Sequence, residues 1–261
     1  MSIETTCVRL KLSELDESLH LSLTRQLPKA PPLPGRDITV LKPEFHPNKK
    51  GLSSTEGQAR LLHDLASIEL QAMELGLRTL RDFPEAPVFF REELAAITQS
   101  EGRHLELCLN GIEKLGYHWG DWPVHTLLWQ ATDSSDSLLD RILIVHRYLE
   151  GSGLDAGDTL LRRLDGVLES PLHGITKVIF HEEVGHVEFG SRWYRLLCQE
   201  QGLDPELDFP QRMESIRHKI PKRIEPLALE ARKKAGFSDS ELEYLQSLRD
   251  SMRKASQPKT Q

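Results

Sequence analysis

Ile97-Thr-Gln-Ser-Glu-Gly-Arg-His-Leu-Glu-Leu-Cys108 and Ile179-Phe-His-Glu-Glu-Val-Gly-His-Val-Glu-Phe-Gly190 are the stretches on which the reading of this chain turns. Each holds a Glu-x-x-His, Glu101 with His104 and Glu183 with His186, among apolar residues at helical spacing. Residues three apart lie on one helix face, one turn from each other, so each pair can serve a single ion. Working outward, the core-facing stripe reads Phe90, Leu94, Ile97, Glu101, His104, Cys108 in the first helix and Ile179, Glu183, His186, Gly190, Trp193, Leu197 in the second. Two further stripes carry an acid: Leu62, Leu65, Glu69, Ala72, Gly76, and Leu139, Leu143, His146, Glu150. Glu69 precedes Glu101 by 32 residues and Glu150 precedes Glu183 by 33, so the two halves repeat one plan.

An ionised carboxylate withdrawn from water costs several kcal/mol unless paired, and four aimed at one core would repel one another. Two divalent cations balance four carboxylates, and two neutral imidazoles complete the shell without adding charge. One Glu from each of two helices and Glu-x-x-His from each of two others is the arrangement of ferritin-like di-metal carboxylate proteins. On that template Glu101 and Glu183 bridge the ions, while Glu69 with His104 and Glu150 with His186 are terminal ligands. The competing reading, solvated acids on amphipathic helices, suits most glutamates in a chain with 28% charged residues. It fits poorly here because these acids lie on the apolar stripe. His146, one turn before Glu150, reads as a hydrogen-bonded core histidine, with an extra ligand as the alternative. His63, His173 and His181 fall off the stripes and read as surface or ligand-supporting residues. Glu106, Glu182 and Glu188 read as solvated, Arg147 and Asp155 as neighbours able to orient ligands, and Trp193 and Tyr194 as packing.

The pattern predicts an all-α fold: a ferritin-like four-helix bundle with one long crossover, plus an N-terminal proline-rich strap and a C-terminal helical tail. The boundaries expected are 1–50 for the extension and strap, 51–203 for the bundle and 204–261 for the tail. A helix candidate spans Ser13 to Gln26, and the prolines at 28, 31, 32, 34, 43 and 47 then enforce an extended course. The bundle helices run from Ser53, with Glu56 at capping-box spacing, to Leu80; from Pro87 to Leu115; from Leu138 through Glu150 toward Leu168, with kinks at Gly151 and Gly153; and from Leu172 to Gln201. Trp119, Trp122, Pro123 and Trp129 mark the crossover, and a short helix pair with Ser238 and Glu241 at capping-box spacing marks the tail.

A net charge of −7 excludes the broad basic field of a general nucleic-acid binder. From Pro205 onward 12 Lys and Arg face 9 Asp and Glu, a local +3 that could hold a few phosphates but reads better as a solvated helix face. Cys7, Cys108 and Cys198 form no disulfide or zinc pattern. With no secretory leader and no run near the ~20 apolar residues of a membrane span, the expectation is a cytoplasmic protein without a membrane partner.

His63-Asp-Leu-Ala-Ser-Ile-Glu-Leu-Gln-Ala-Met-Glu-Leu75, Glu101-Gly-Arg-His104, Leu115-Gly-Tyr-His-Trp-Gly-Asp121, Leu149-Glu-Gly-Ser-Gly-Leu-Asp155 and Glu182-Glu-Val-Gly-His-Val187 with Arg192-Trp193 resemble an uncharacterised bacterial ferritin-like family. That family is related to the non-haem di-iron tRNA hydroxylases acting on methylthio-isopentenyl-adenosine. All six inferred ligands, Glu69, Glu101, His104, Glu150, Glu183 and His186, coincide with the family's presumed metal positions. His181-Glu182 departs from its more usual basic residue followed by Asp. The resemblance implies two iron ions, Fe2+/Fe3+, with manganese or a mixed Mn/Fe pair as alternatives, and those six residues as catalytic and metal-binding. The leading expectation is an O2-dependent hydroxylase of a small molecule or modified nucleoside, with tRNA as one form of that substrate. An external electron donor protein is then required, since no flavin, haem or iron-sulfur motif is present. The alternatives are a ferroxidase for iron storage or detoxification and a non-catalytic metal-stabilised binding protein.

Overall fold

The structure, a computed structural model, describes residues 2–164, 166 and 170–256. It is all-helical, as a helical bundle requires, and β-structure among the described residues is one parallel bridge between Val40 and Val124. No described helix is long and apolar enough to cross a membrane. The chain divides into two compact units, Met1–Ser134 with Leu164–Ile175, and Ser135–Arg163 with Thr176–Gln261.

In the first unit the long helices α3 (Thr55–Asp82) and α4 (Val88–Lys114) pack on one another. Their backbones approach so closely at Gly76 that a Cβ there would stand 2.1 Å from Thr98 Oγ1. The cap of α3 is Ser54, one residue beyond the expected Ser53, and its side chain accepts from Gly57 N at 3.1 Å. Glu56 is instead taken by Lys50. Pro87 opens α4, and Gly116, at φ +80°, reverses the chain after it.

The N-terminal helix candidate of Ser13 to Gln26 is α2 (Leu15–Leu23), and a helix not expected from the sequence, α1 (Val8–Ser13), precedes it, the two broken at Glu14, whose carboxylate accepts from Thr5 Oγ1. Lys11 of α1 is wholly buried: its ammonium donates to Ser2 O and Ile3 O at 2.8 Å and pairs with Glu74 of α3 at 2.9 Å. Arg36 of the strap grips the same carboxylate with both nitrogens. The strap is held further by Arg81 donating to Pro28 O and by Trp129, from the short α5 (Leu127–Gln130) of the crossover, donating to Pro32 O at 2.9 Å. Prolines that cannot join a ladder are thus fixed through their carbonyls.

In the second unit α6 (Leu138–Ile142), capped by Ser137 with Asp140, runs into a π-helical turn, Leu143–Leu149, and then α7 (Glu150–Leu164). The irregularity expected at Gly151 and Gly153 lies one turn earlier, and both glycines sit in regular helix. Helix α8 (Pro171–Glu200) supplies Gly190 opposite the π turn, where a Cβ would stand 2.4 Å from the Cβ of His146. The tail holds α9 (Pro205–Ile216), α10 (Leu229–Lys234) and α11 (Asp239–Ser256), one helix more than the pair expected. Ser238 and Glu241 form the anticipated capping box, with Glu241 N donating to Ser238 Oγ and Ser238 N to Glu241.

Glu74 answers two buried cations, so Glu74→Gln should leave both uncompensated and cost about 3 kcal/mol. Urea unfolding of the variant checks this; a loss comparable to an exposed ion pair, under about 1 kcal/mol, would show that the pairing does not anchor the N-terminus.

Candidate metal centre

Helices α3 and α4 bring Glu69, Glu101 and His104 together, all buried. His104 Nδ1 stands 3.5 Å from Glu69 Oε2 and 3.5 Å from Glu101 Oε2. Cys108, one turn beyond, is buried, and burial together with the nearby Glu69 carboxylate pushes its thiol well above the usual range, so it stays protonated.

In the second unit α8 places Glu183 and His186 on one face, with His186 Nδ1 3.2 Å from Glu183 Oε1. Glu150 is the first residue of α7, and His146 in the π turn meets its Oε2 at 2.8 Å. Opposite that hydrogen bond the His146 ring rests edge-on against Phe189 at 5.0 Å. His146 is therefore the hydrogen-bonded core histidine of the sequence reading, and it orients Glu150.

Glu101, His104, Glu183 and His186 form a buried group that could hold a metal ion, one ligand atom of each lying within 4.8 Å of the others. The imidazole-carboxylate spacings fit that use. Two donors about 2.1 Å from one ion, at tetrahedral to octahedral angles, are about 3.0–3.4 Å apart. The 3.5 Å contacts of His104 are close to that edge and longer than the direct hydrogen bond of His146 with Glu150 at 2.8 Å, while His186 and Glu183, at 3.2 Å, have ligand spacing and are also in hydrogen-bond reach. Carboxylate and imidazole donors suit iron, manganese or zinc. Of the two remaining predicted ligands, Glu69 joins through its contact with His104, and Glu150 stands against His146.

Other residues fall differently. His63, expected at the surface or supporting a ligand, is wholly buried beneath the crossover: its ring stacks on Trp119 at 4.8 Å, meets Trp122 edge-on at 5.4 Å and accepts from Gly120 N. The aromatic run Tyr117 to Trp122 was the signal that α3 would be covered on that side. His181 and Glu106 are exposed, and Trp193 and Tyr194 are buried packing residues. Arg147 and Asp155 do not reach toward ligands but are held by the tail, Arg147 by Glu241 and Asp155 by Arg232 and Arg249. Sequence spacing gave no sign of those partners.

With this geometry in hand, a family model described as "Protein of unknown function (DUF455)" matches residues 4–243. The chain belongs to the DUF455 family. An uncharacterized protein of Haemophilus influenzae (strain ATCC 51907 / DSM 11121 / KW20 / Rd) is 30% identical over 205 residues, covering 76% of this DUF455 chain and 70% of that relative. No solved structure matches. The expected tie to tRNA hydroxylases finds no support in these comparisons, and the DUF455 description carries no activity. Both Glu-x-x-His motifs lie inside the matched residues.

Burial lowers the His63 pKa from 6.5 to about 4, with smaller opposing and reinforcing effects from Asp64 and Arg60. The folded protein thus binds this proton less readily than the unfolded chain, so stability is full above about pH 6.5 and falls as the pH drops toward about 4. The loss should be of order 3 kcal/mol. Melts of wild type and His63→Phe at pH 7 and pH 4.5 test it: the acid-induced loss should be smaller in the variant, and equal losses would refute the assignment.

Proposed function

We propose that the protein is a non-haem di-metal carboxylate oxidoreductase that hydroxylates a small organic substrate with O2. The two ions, iron in the first instance, would be held by Glu69, Glu101, His104, Glu150, Glu183 and His186. The observation that carries this reading is the buried group Glu101, His104, Glu183 and His186, with each imidazole at ligand spacing from its own helix's glutamate. When bound, the ions would supply reduction of O2 and oxidation of the substrate, R–H + O2 + 2e− + 2H+ giving R–OH + H2O, with electrons from an external donor.

The chain's own residues have separate tasks. Glu101 and Glu183 would supply the negative charge that holds the ions, and His104 and His186 would ligate as neutral imidazoles. His146 holds Glu150 in one orientation through its 2.8 Å hydrogen bond. Leu105, Val187 and Phe189, buried within three residues of the ligands on α4 and α8, would help keep water from them. A small substrate is favoured over tRNA because three of the tail's cations are already paired within the protein. Arg212 pairs with Asp208 and Asp140, Arg217 with Glu214, and Lys219 with Asp136.

Anaerobic titration with Fe(II) should saturate at two ions per chain, and His104→Ala and His186→Ala should each weaken a different ion. Subsequent oxygen exposure should consume O2 without further iron uptake. Uptake of many more ions with a mineral product would instead identify an iron store, and no uptake would refute the metal centre.

A further inference from the structure

Glu150 sits at the junction of the π turn and α7, and the tail grips the chain on both sides of it. Three residues before it, the buried Arg147 forms a two-pronged pair with Glu241 of α11, Nη1 to Oε1 at 2.8 Å and Nη2 to Oε2 at 2.7 Å. The same guanidinium lies over the rings of Tyr194, Phe209 and Phe237 at 4.9, 4.8 and 4.5 Å. Five residues after it, the wholly buried Asp155 accepts from Arg232 of α10 at 2.9 and 2.7 Å, from Ala228 N at 2.7 Å and from Arg249 of α11. Beside Glu150 itself, Arg232 lies flat against the helix backbone, since a Cβ on Gly151 would stand 2.9 Å from its Nη1.

These contacts bear on the π turn. A π turn carries one residue more than an α turn and persists where its surroundings hold it, and such turns recur at functional sites. Rewound to α geometry, residues 143–149 would change phase by about one residue, about 100°, which would turn His146 and Glu150 out of their present register. Gly190 fixes the phase at His146, Glu241 fixes it at Arg147, and Asp155 with its two arginines fixes the far side.

We propose that the C-terminal helices α10 and α11 are a clamp that holds the π turn and so sets the orientation of Glu150, with Glu241, Arg232 and Arg249 as positioning residues. The inference rests on the metal-centre reading above and adds to it the role of the tail. It is tested on the full-length chain with Mn2+ as the probe, by equilibrium dialysis and by amide hydrogen exchange of residues 143–151 without metal. Glu241→Gln and Asp155→Asn should speed that exchange and weaken one of the two ions about tenfold or more, leaving the other at wild-type affinity. Arg217→Ala, which removes only an exposed ion pair with Glu214 on α9, should leave both that exchange and the two affinities at wild-type values. Wild-type binding of both ions by Glu241→Gln and Asp155→Asn would overturn the clamp alone, as would an equal weakening of both ions. A wild type that binds no Mn2+ would overturn the metal-centre reading and the clamp's service to it together.

Discussion

A carboxylate removed from water has to be met by positive charge, and much of this structure follows from how each buried acid is met. One group is met by arginine or lysine at short range: Glu74 by Lys11 and Arg36, Glu241 by Arg147, Asp155 by Arg232, Asp136 by Arg141 and Lys219. A second group, Glu69, Glu101 and Glu183, stands 3.2–3.5 Å from imidazoles. The first group fastens strap and tail to their helices. The second includes Glu101 and Glu183 of the buried group that could hold a metal ion.

The same division explains the irregular parts of the chain. An N-terminal segment rich in proline has few backbone hydrogen bonds with which to anchor itself. It is fixed instead by Arg36, Arg81 and Trp129, which reach it from side chains or grip its carbonyls. The tail, though helical, has little reason to dock on charge balance alone, yet Glu241, Arg232 and Arg249 find buried partners in the helix that carries Glu150. A buried pair of this kind adds little net stability over an apolar contact but fixes orientation, because its geometry is directional. Orientation is what the hydrogen bond from His146 of the π turn to Glu150 depends on.

The buried thiols agree with that picture. Cys108 lies one turn beyond His104, and burial pushes its thiol well above the usual range and the Cys198 thiol to about 11; neither belongs to the buried group Glu101, His104, Glu183 and His186. The donors of that group are carboxylates and imidazoles, a set suited to iron, manganese or zinc.

What the sequence determined by itself is the set of helices and the stripe each one buries. Capping residues, prolines and glycines end helices through local sterics, so α3, α4 and α8 fall within about two residues of their expected limits. The 3.6-residue period places Glu69, Glu101, His104, Glu183 and His186 on buried faces for the same local reason. The tertiary structure alone decided the rest. His63 went inside because Trp119 and Trp122 close over it. The π turn arises where Gly190 presses on His146 while Glu241 holds Arg147, partners 44 and 94 residues away along the chain. No local period encodes contacts across such separations, because they depend on which helix faces meet after folding.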